Sequence, residues 1–243
     1  RQEMVKPFAA APVASMEPLI SQLCDSLLSE VHSQGADIVS AVTQPLPVAV
    51  IARIVGIPQS DLARILPWAR AMRDVLDAPE QAGSELQTAL TEMRSYFAAL
   101  AQDEAWLRLH EAAGRDSLRD LARKYPPEVV ASNLAFLVFA GHETTVHLIG
   151  SLMLHLALRP DLWRLLRARK HLVPNAVNKA LRFESPVQKM CRRTSDWVEI
   201  EGRAIPPRQT LVLLLGAANR DPARFPRPDS FDVRRENSNH LAF

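Results

Sequence analysis

Residues 127–158 read PEVVASNLAFLVFAGHETTVHLIGSLMLHLAL, and this stretch decides the fold. Pro126 and Pro127 precede Glu128. Proline in the first turn, followed by an acidic residue, is typical of a helix start. The apolar residues that follow fall on nearly every side of a helix. The sequence therefore predicts one long helix over about 127–158, buried through the middle of the protein.

A polar hexapeptide, Ala140-Gly141-His142-Glu143-Thr144-Thr145, interrupts this apolar helix. Glycine in a helix costs about 1 kcal/mol relative to alanine, and buried polar groups are costly. Glu143 beside Thr144 could relay protons to a reactive oxygen species, with the small Ala140-Gly141 pair leaving room for a small molecule. Alternatively, the helix is only kinked, with Thr144 bonded to its own preceding turn and Glu143 in a structural ion pair. The hexapeptide alone leaves both interpretations open.

The remainder of the first 185 residues shows helical spacing of Leu, Ala, Arg and Glu. Further helices are predicted over about 16–31, 46–55, 60–76, 85–107, 161–170 and 175–182. Two β-prone runs, 197–200 and 210–215, are joined through Gly202 and Pro206-Pro207, and their spacing predicts a small hairpin. Residues 221–239 are rich in Pro, Arg, Asp and Asn and indicate an ordered polar loop. The fold class is mainly α with a small β portion (α+β).

The composition excludes several classes of protein. The 243 residues include 29 Lys and Arg against 27 Asp and Glu, and 47% are apolar, which is ordinary for a globular protein. Disorder and collagen-like structure are excluded. The basic residues are scattered, so we expect neither a nucleic acid nor a membrane as partner.

Two further features bear on the compartment. The two cysteines, Cys24 and Cys191, are far apart, so we expect no disulfide framework and no zinc site. The start lacks the pattern of a signal peptide, and the most apolar run, 134–140, is far shorter than the roughly 20 residues that span a bilayer. We expect a cytoplasmic protein with no transmembrane helix.

Several segments together carry a resemblance to a known family. They occur in one order: Ala140–Thr145, Ala180–Pro186, Arg192–Thr194, Gly216–Pro222, Pro228–Asp232 and His240–Phe243. This set resembles the cytochrome P-450 family, specifically its soluble bacterial members. Residues 1–9, 44–47 and 56–58 also look like parts of that family, so the resemblance covers essentially the whole chain. It implies the cytochrome P-450 fold as a single partial domain over 1–243, truncated at both ends.

The resemblance also implies roles for individual residues. Glu143 and Thr144 match the acid-alcohol pair that delivers protons during oxygen activation, and Ala140 and Gly141 match residues beside the haem. Arg1, one of Arg192 and Arg193, and His240 match the groups that hold the haem propionates, where guanidinium and imidazole suit carboxylates. Counting back from Val198 favours Arg192, and Arg193 remains the alternative.

Two departures from the family pattern are visible. Lys179 stands where the family has a glutamate three residues before the helix arginine, here Arg182. A lysine facing Arg182 and the loop residue Arg235 predicts repulsion in place of a buried ion pair, whose loss typically costs about 3–5 kcal/mol. Arg208 stands where a glycine is expected, in a turn that can need positive φ.

The third departure concerns the iron ligand. His240–Phe243 resembles the sequence leading into the loop with the haem-ligating cysteine, which would lie beyond Phe243. Cys24 and Cys191 are expected to be structural, so we expect no metal ligand among the residues given. We therefore expect an inactive internal fragment, such as a pseudogene product, and only weak haem binding.

The first functional hypothesis is descent from a haem monooxygenase that inserts one atom of O₂ into a hydrophobic organic substrate. A ferredoxin-type or other redox partner would supply electrons. Residues 65–78 and 187–190 would approach the substrate. The alternative is a haem-free, P-450-like helical partner protein with an auxiliary role. The retained acid-alcohol pair and propionate-side groups favour the first hypothesis, because a haem-free scaffold does not need them.

Overall fold

The computed structural model describes residues 6–31, 35–77, 83–112, 116–235 and 239–242. The chain divides into two compact units, Arg1–Val146 (unit 1) and His147–Phe243 (unit 2), and each is described by itself. In unit 1, three short helical turns, Lys6–Phe8, Val39–Thr43 (a π-helix) and Gln59–Asp61, accompany the α-helices. These helices are α1 (Ala10–Ala14), α2 (Glu17–Ser29), α3 (Pro45–Val55), α4 (Leu62–Asp77), α5 (Ser84–Leu100), α6 (Glu104–Ala112), α7 (Asp116–Lys124) and α8 (Pro127–Ala157), the last of which continues into unit 2.

Unit 2 combines helices with small antiparallel sheets. Its helices are α9 (Pro160–Ala168), α10 (Val173–Phe183) and α11 (Leu215–Ala218), with a 3-10 turn at Lys170–Leu172. Its strands are β1 (Met190–Arg193), β2 (Val198–Ile200), β3 (Arg203–Ile205) and β4 (Thr210–Leu213). The predicted α+β class with a helical majority is confirmed.

The predicted hairpin between 197–200 and 210–215 is wrong. β2 pairs with β3, and β4 pairs with the earlier strand β1, from Met190 opposite Leu213 to Arg193 opposite Thr210. The reason lies in the turn after β2, because Glu201 and Gly202 both have positive φ (48° and 77°). Two such residues form the tight turn that suits a two-residue hairpin, so β2 turns back before 210 is reached.

The long helix predicted over 127–158 is confirmed as α8, but it is less buried than expected. Val130, Ala131 and Leu134 are fully buried, whereas Phe136 and Leu154 are more than half exposed. α8 is long and apolar enough to cross a membrane, but the core helices of soluble proteins share these two properties. Of its most apolar 18 residues, 44% are buried. The polar hexapeptide lies near its midpoint without breaking the helix.

The predicted helix over 85–107 is two helices, α5 and α6. The Asp103 carboxylate accepts hydrogen bonds from the backbone N–H groups of Ala105 (2.6 Å) and Trp106 (3.0 Å). These contacts satisfy donors that the first turn of a helix leaves without partners, so a new helix starts here.

The core of unit 1 contains the end of α3. Gly56 ends this helix with φ 81°, the left-handed conformation in which glycine commonly ends a helix. The Trp106 indole N–H (2.9 Å) and a ring nitrogen of His110 (3.0 Å) both reach the carbonyl oxygen of Val55. A buried helix end therefore has its carbonyl satisfied by two side chains from α6.

The core of unit 2 is aromatic. Phe183 from α10 and Phe231 from the polar loop pack edge to face at 5.6 Å, and His155 from α8 stacks on Phe231 at 4.8 Å. Arg208, which stands where the family pattern has a glycine, has φ 66°, so the turn does take positive φ here. Its backbone N–H donates to the Thr194 carbonyl (2.8 Å), which closes the turn before β4.

Candidate active site

The polar centre of α8 makes hydrogen bonds within its own helix. The Thr144 hydroxyl donates to the Ala140 carbonyl (2.8 Å), and Thr145 does the same to Gly141 (3.1 Å). This is the local bonding that the kink interpretation predicts, although the helix is continuous. Each hydroxyl oxygen keeps lone pairs that can accept a further hydrogen bond, so the contact does not exclude proton transfer through Thr144.

Glu143 lies beside a histidine that the sequence did not single out. The Glu143 carboxylate is 3.6 Å from Nδ1 of His142, whose ring is almost fully buried. An adjacent carboxylate and imidazole can hold and exchange a proton. The only sequence signal for His142 was its place inside the hexapeptide.

Gly141 is explained by the approach of another helix. A Cβ at this position would lie 2.8 Å from Cδ1 and 2.9 Å from Cγ1 of Ile51, on α3. The missing side chain therefore makes room for Ile51, and on this side of α8 the space is filled by protein. Haem contact by Ala140 and Gly141 stays a prediction.

Arg192 and Arg193 are exposed neighbours on β1. Arg192 donates to the Cys191 carbonyl (2.9 Å) and Arg193 to the Arg208 carbonyl (3.3 Å). Successive side chains of a strand point to opposite faces, so one of the two at most can serve a ligand on a given face. The choice between them stays open, as in the sequence.

His240 is half-buried in the segment 239–242. Burial lowers its pKa, and the positive charge of Lys179 lowers it further. Nδ1 accepts the backbone N–H of Ala242 (3.3 Å). The neutral ring therefore carries its proton on Nε2, where it can donate to a carboxylate.

The cationic residues of α10 are almost fully buried. Lys179 and Arg182 are each 1% exposed. Burial, followed by the charges of Arg235 and Arg182, lowers the pKa of Lys179. The crowding of like charges expected from the missing glutamate is present.

Among the residues that the structure describes, the guanidinium of Arg235 makes no hydrogen bond to α10, the helix that carries Arg182. Its guanidinium donates to the loop carbonyls of Pro226 (2.6 Å) and Arg227 (3.1 Å). The backbone around it is tied to α10 by Asn175, whose amide donates to the carbonyls of Val233 and Arg235. Asn175 was missed because a polar residue on a helix surface is ordinarily solvated.

Some residues that the sequence analysis singled out lie outside the part of the chain that the structure describes. These are Arg1, Phe243 and the end of the range 65–78. Cys191 is exposed and Cys24 is partly buried, with its thiol pKa raised by burial. Among the residues that the structure describes, no group of three or more His, Cys, Asp or Glu could hold a metal ion.

Comparison with known proteins decides the family. The family model described as Cytochrome P450 matches residues 107–240, more than half of the chain. This chain belongs to the cytochrome P450 family. It is 34% identical to the P450 monooxygenase PikC of Streptomyces venezuelae, over 100% of this chain and 59% of that protein. It is likewise 34% identical to the biotin biosynthesis P450 of Bacillus subtilis, over 97% of this chain and 60% of that one.

Solved structures agree with this assignment. P450BioI, in complex with an acyl carrier protein that carries hexadec-9Z-enoic acid, has a TM-score of 0.86 at 31% identity and covers 99% of this chain. The polyketide synthase P450 PksS of Bacillus subtilis has a TM-score of 0.87 at 29% identity and covers 100% of the chain. The chain spans 64% of the first structure and 63% of the second. The cytochrome P450 fold is therefore shown for a chain shorter than its relatives.

The family implies haem, and the donor groups in unit 2 suit it. Haem propionates are carboxylates, which bind best to charge-assisted or well-oriented N–H donors. The exposed guanidinium groups of Arg192 and Arg193 and the Nε2–H of His240 are donors of this kind. In chemical type these donors are therefore suited to propionates, and their contact with haem stays a prediction.

Proposed function

We propose that this chain forms part of a haem-dependent monooxygenase that inserts one atom of O₂ into a hydrophobic organic substrate. The observation that carries the proposal is the Glu143-Thr144 pair, at the centre of a helix that is mostly apolar. Haem, when bound, supplies the oxygen chemistry. We also propose that residues 1–243 belong to a single partial P450 domain.

Within α8 the proposed role of Thr144 is to present a hydroxyl oxygen of fixed orientation. Its proton is directed to the Ala140 carbonyl, so its lone pairs face away from that bond and can accept a donor. The Glu143 carboxylate lies 3.6 Å from Nδ1 of His142. It can accept a proton on the His142 side and release it to groups near Thr144. The pair thus holds and moves protons where an apolar helix could not.

On the propionate side, we propose that Arg192 or Arg193, His240 and Arg1 hold the carboxylates. Arg192 and Arg193 keep exposed guanidinium groups on a paired strand, which limits their motion. His240 is neutral near pH 7 because burial and Lys179 lower its pKa, so it offers an N–H without adding another buried charge.

Neither cysteine of the sequence lies in a position that matches the thiolate ligand of the family. We therefore expect the 243 residues by themselves to bind haem weakly and to lack oxygenase activity without that ligand. We further propose a hydrophobic substrate, a ferredoxin-type or other redox partner and a cytoplasmic location. A neighbour solved with a fatty acid on an acyl carrier protein makes a long apolar substrate reasonable.

The experiment compares Glu143→Gln and Thr144→Ala with Thr145→Ala, the matched control, which loses an equivalent hydroxyl bonded to its own helix. The variants are made in the haem-loaded protein with the thiolate ligand present, and product formed per O₂ consumed is measured. General acid–base groups contribute about 10²–10⁴-fold to the rate of the step they catalyse. Without that step less of the consumed O₂ ends in product, so product per O₂ should fall steeply in the first two variants and little in the control. Equal yields in all three would overturn the proposed proton role.

A further inference from the structure

A buried asparagine, Asn219, connects three parts of unit 2. It follows α11 and is 0% exposed. Its Oδ1 accepts the backbone N–H of Leu241 (2.7 Å), and its Nδ2 donates to the Ser185 hydroxyl (2.7 Å). Ser185 in turn donates to the Leu181 carbonyl (3.1 Å), at the end of α10. The amide therefore bridges α10 and the segment 239–242.

The backbone of Asn219 is fixed as firmly as its side chain. Its carbonyl accepts a hydrogen bond from Arg182 Nη1 (2.9 Å), and its N–H donates to Leu215 (2.9 Å). The orientation of the amide is also fixed, because the Leu241 N–H is a donor and only Oδ1 can accept it. A buried amide with such partners lies in one position, since moving it would leave polar groups unpaired.

The segment 239–242 forms neither a helix nor a strand. No backbone–backbone hydrogen bond joins it to another part of the chain that the structure describes. Leu241 is 54% exposed, whereas its neighbour Ala242 is fully buried. The bond from Asn219 to Leu241 therefore sets how this irregular segment lies on unit 2, and His240 precedes Leu241 directly.

We propose that Asn219 is the positioning residue for His240: it fixes the segment 239–242 against α10 and so presets the imidazole N–H for an anionic group of the cofactor. This inference rests on the proposed function for the identity of that group. The geometry that carries it, a fully buried amide with bonds to two segments, does not depend on the cofactor.

The first arm of the test measures positioning without haem. Amide hydrogen exchange is followed by NMR in the parent protein, Asn219→Ala and Asn178→Ala, the last being an exposed asparagine of the same unit. In N219A the Leu241 amide should exchange about tenfold faster, and the pKa of His240 should return toward 6.5. Amides of α10 and β1 should change less than about twofold. N219D keeps an acceptor for Leu241 and should restore protection. If N219A does not fold, Asn219→Ser replaces it.

The second arm measures haemin affinity by absorbance titration of the same variants, each made in the protein with the thiolate ligand present. N219A should bind haemin about tenfold more weakly, while N178A binds like the parent. Unchanged exchange at Leu241 in N219A would overturn the positioning role. Faster exchange with unchanged haemin affinity would overturn its link to the cofactor. If the parent protein binds no haemin, the proposed function fails, and the exchange result still decides whether Asn219 holds the segment.

Discussion

Gly56 offers the sharpest test of the packing in unit 1. Its φ of 81° lies in the left-handed region, and a Cβ there would lie 2.7 Å from Nε2 of His110 and 2.9 Å from Nε1 of Trp106. Those two nitrogens bond to the Val55 carbonyl. Alanine at 56 must therefore strain the backbone and displace both rings from their shared acceptor.

The expected cost of Gly56→Ala has two parts. Alanine in a left-handed conformation costs about 1 kcal/mol. Each displaced buried hydrogen bond costs about 1 kcal/mol more. We therefore expect the free energy of unfolding to fall by about 3 kcal/mol. Gly35→Ala is the matched control in the same unit, because Gly35 also has positive φ (103°) but a Cβ there would meet nothing within 4 Å.

The assay is urea unfolding followed by circular dichroism and by tryptophan fluorescence, to which Trp106 contributes as one of four tryptophans. G35A should lose about 1 kcal/mol and G56A about 2 kcal/mol more than that. If the two variants lose the same free energy within about 0.5 kcal/mol, the side-chain contacts at Gly56 do not matter and the reasoning is wrong.

Three further predictions concern unit 2. Arg208→Gly should raise the free energy of unfolding by about 0.5–1 kcal/mol, because φ 66° strains arginine more than glycine; a loss of stability in the same urea assay would contradict this. Lys179→Met should stabilise the protein by about 1–2 kcal/mol at pH 7. Because the folded pKa of Lys179 is lowered, this gain should shrink as the pH rises toward 10.5, and a constant gain would refute the charge explanation. Burial and then Arg159 lower the pKa of His155, so the unfolded state binds its proton more readily. Stability should be complete above pH 6.5 and fall as the pH drops below it, and His155→Gln should flatten that slope in unfolding measured between pH 7 and 5.

Local chemistry made much of the helical structure predictable. α8 could be predicted because prolines and an acid mark its start and apolar residues fill its sides. The end of α3 near residue 55 could be predicted from the Gly56 that follows it, whereas a turn with positive φ at Arg208 was suggested by a glycine in the family pattern. In each case the deciding residues are neighbours in sequence.

The sequence failed to predict features that are determined by residues far apart in the chain. β4 pairs with β1 across nearly twenty residues, while the Glu201-Gly202 turn gives β2 a nearer partner in β3. Position 141 needs a glycine because Ile51, ninety positions earlier in the chain, occupies the space that a side chain would fill. Asn219 resembles an ordinary loop residue until the Leu241 N–H is found against its side chain. Such tertiary contacts override local pattern and cannot be read from one sequence.

The candidate site was predictable in part for the same reason. The hexapeptide of α8 drew notice because polar groups and a glycine contradict the apolar helix around them. The intrahelical bond of Thr144 and the short distance from His142 to Glu143 are visible only in the three-dimensional structure. Lys179 drew notice only because it departs from a family pattern. The structure shows the physical consequence, which is that two positive side chains, Lys179 and Arg182, are both buried.

The central claim, that this chain carries the propionate-side donors of a haem site, is tested most directly by haemin titration. Arg192→Ala, Arg193→Ala and His240→Ala are compared with Arg203→Ala, an exposed arginine of β3 in the same unit. With the thiolate ligand present, we predict saturable haemin binding to the parent protein, unchanged by R203A. It should be weakened about tenfold by H240A and by one of the two β1 variants, because a charge-assisted hydrogen bond contributes about 1.5–3 kcal/mol. Binding that is absent, or that all four variants weaken equally, would contradict the account.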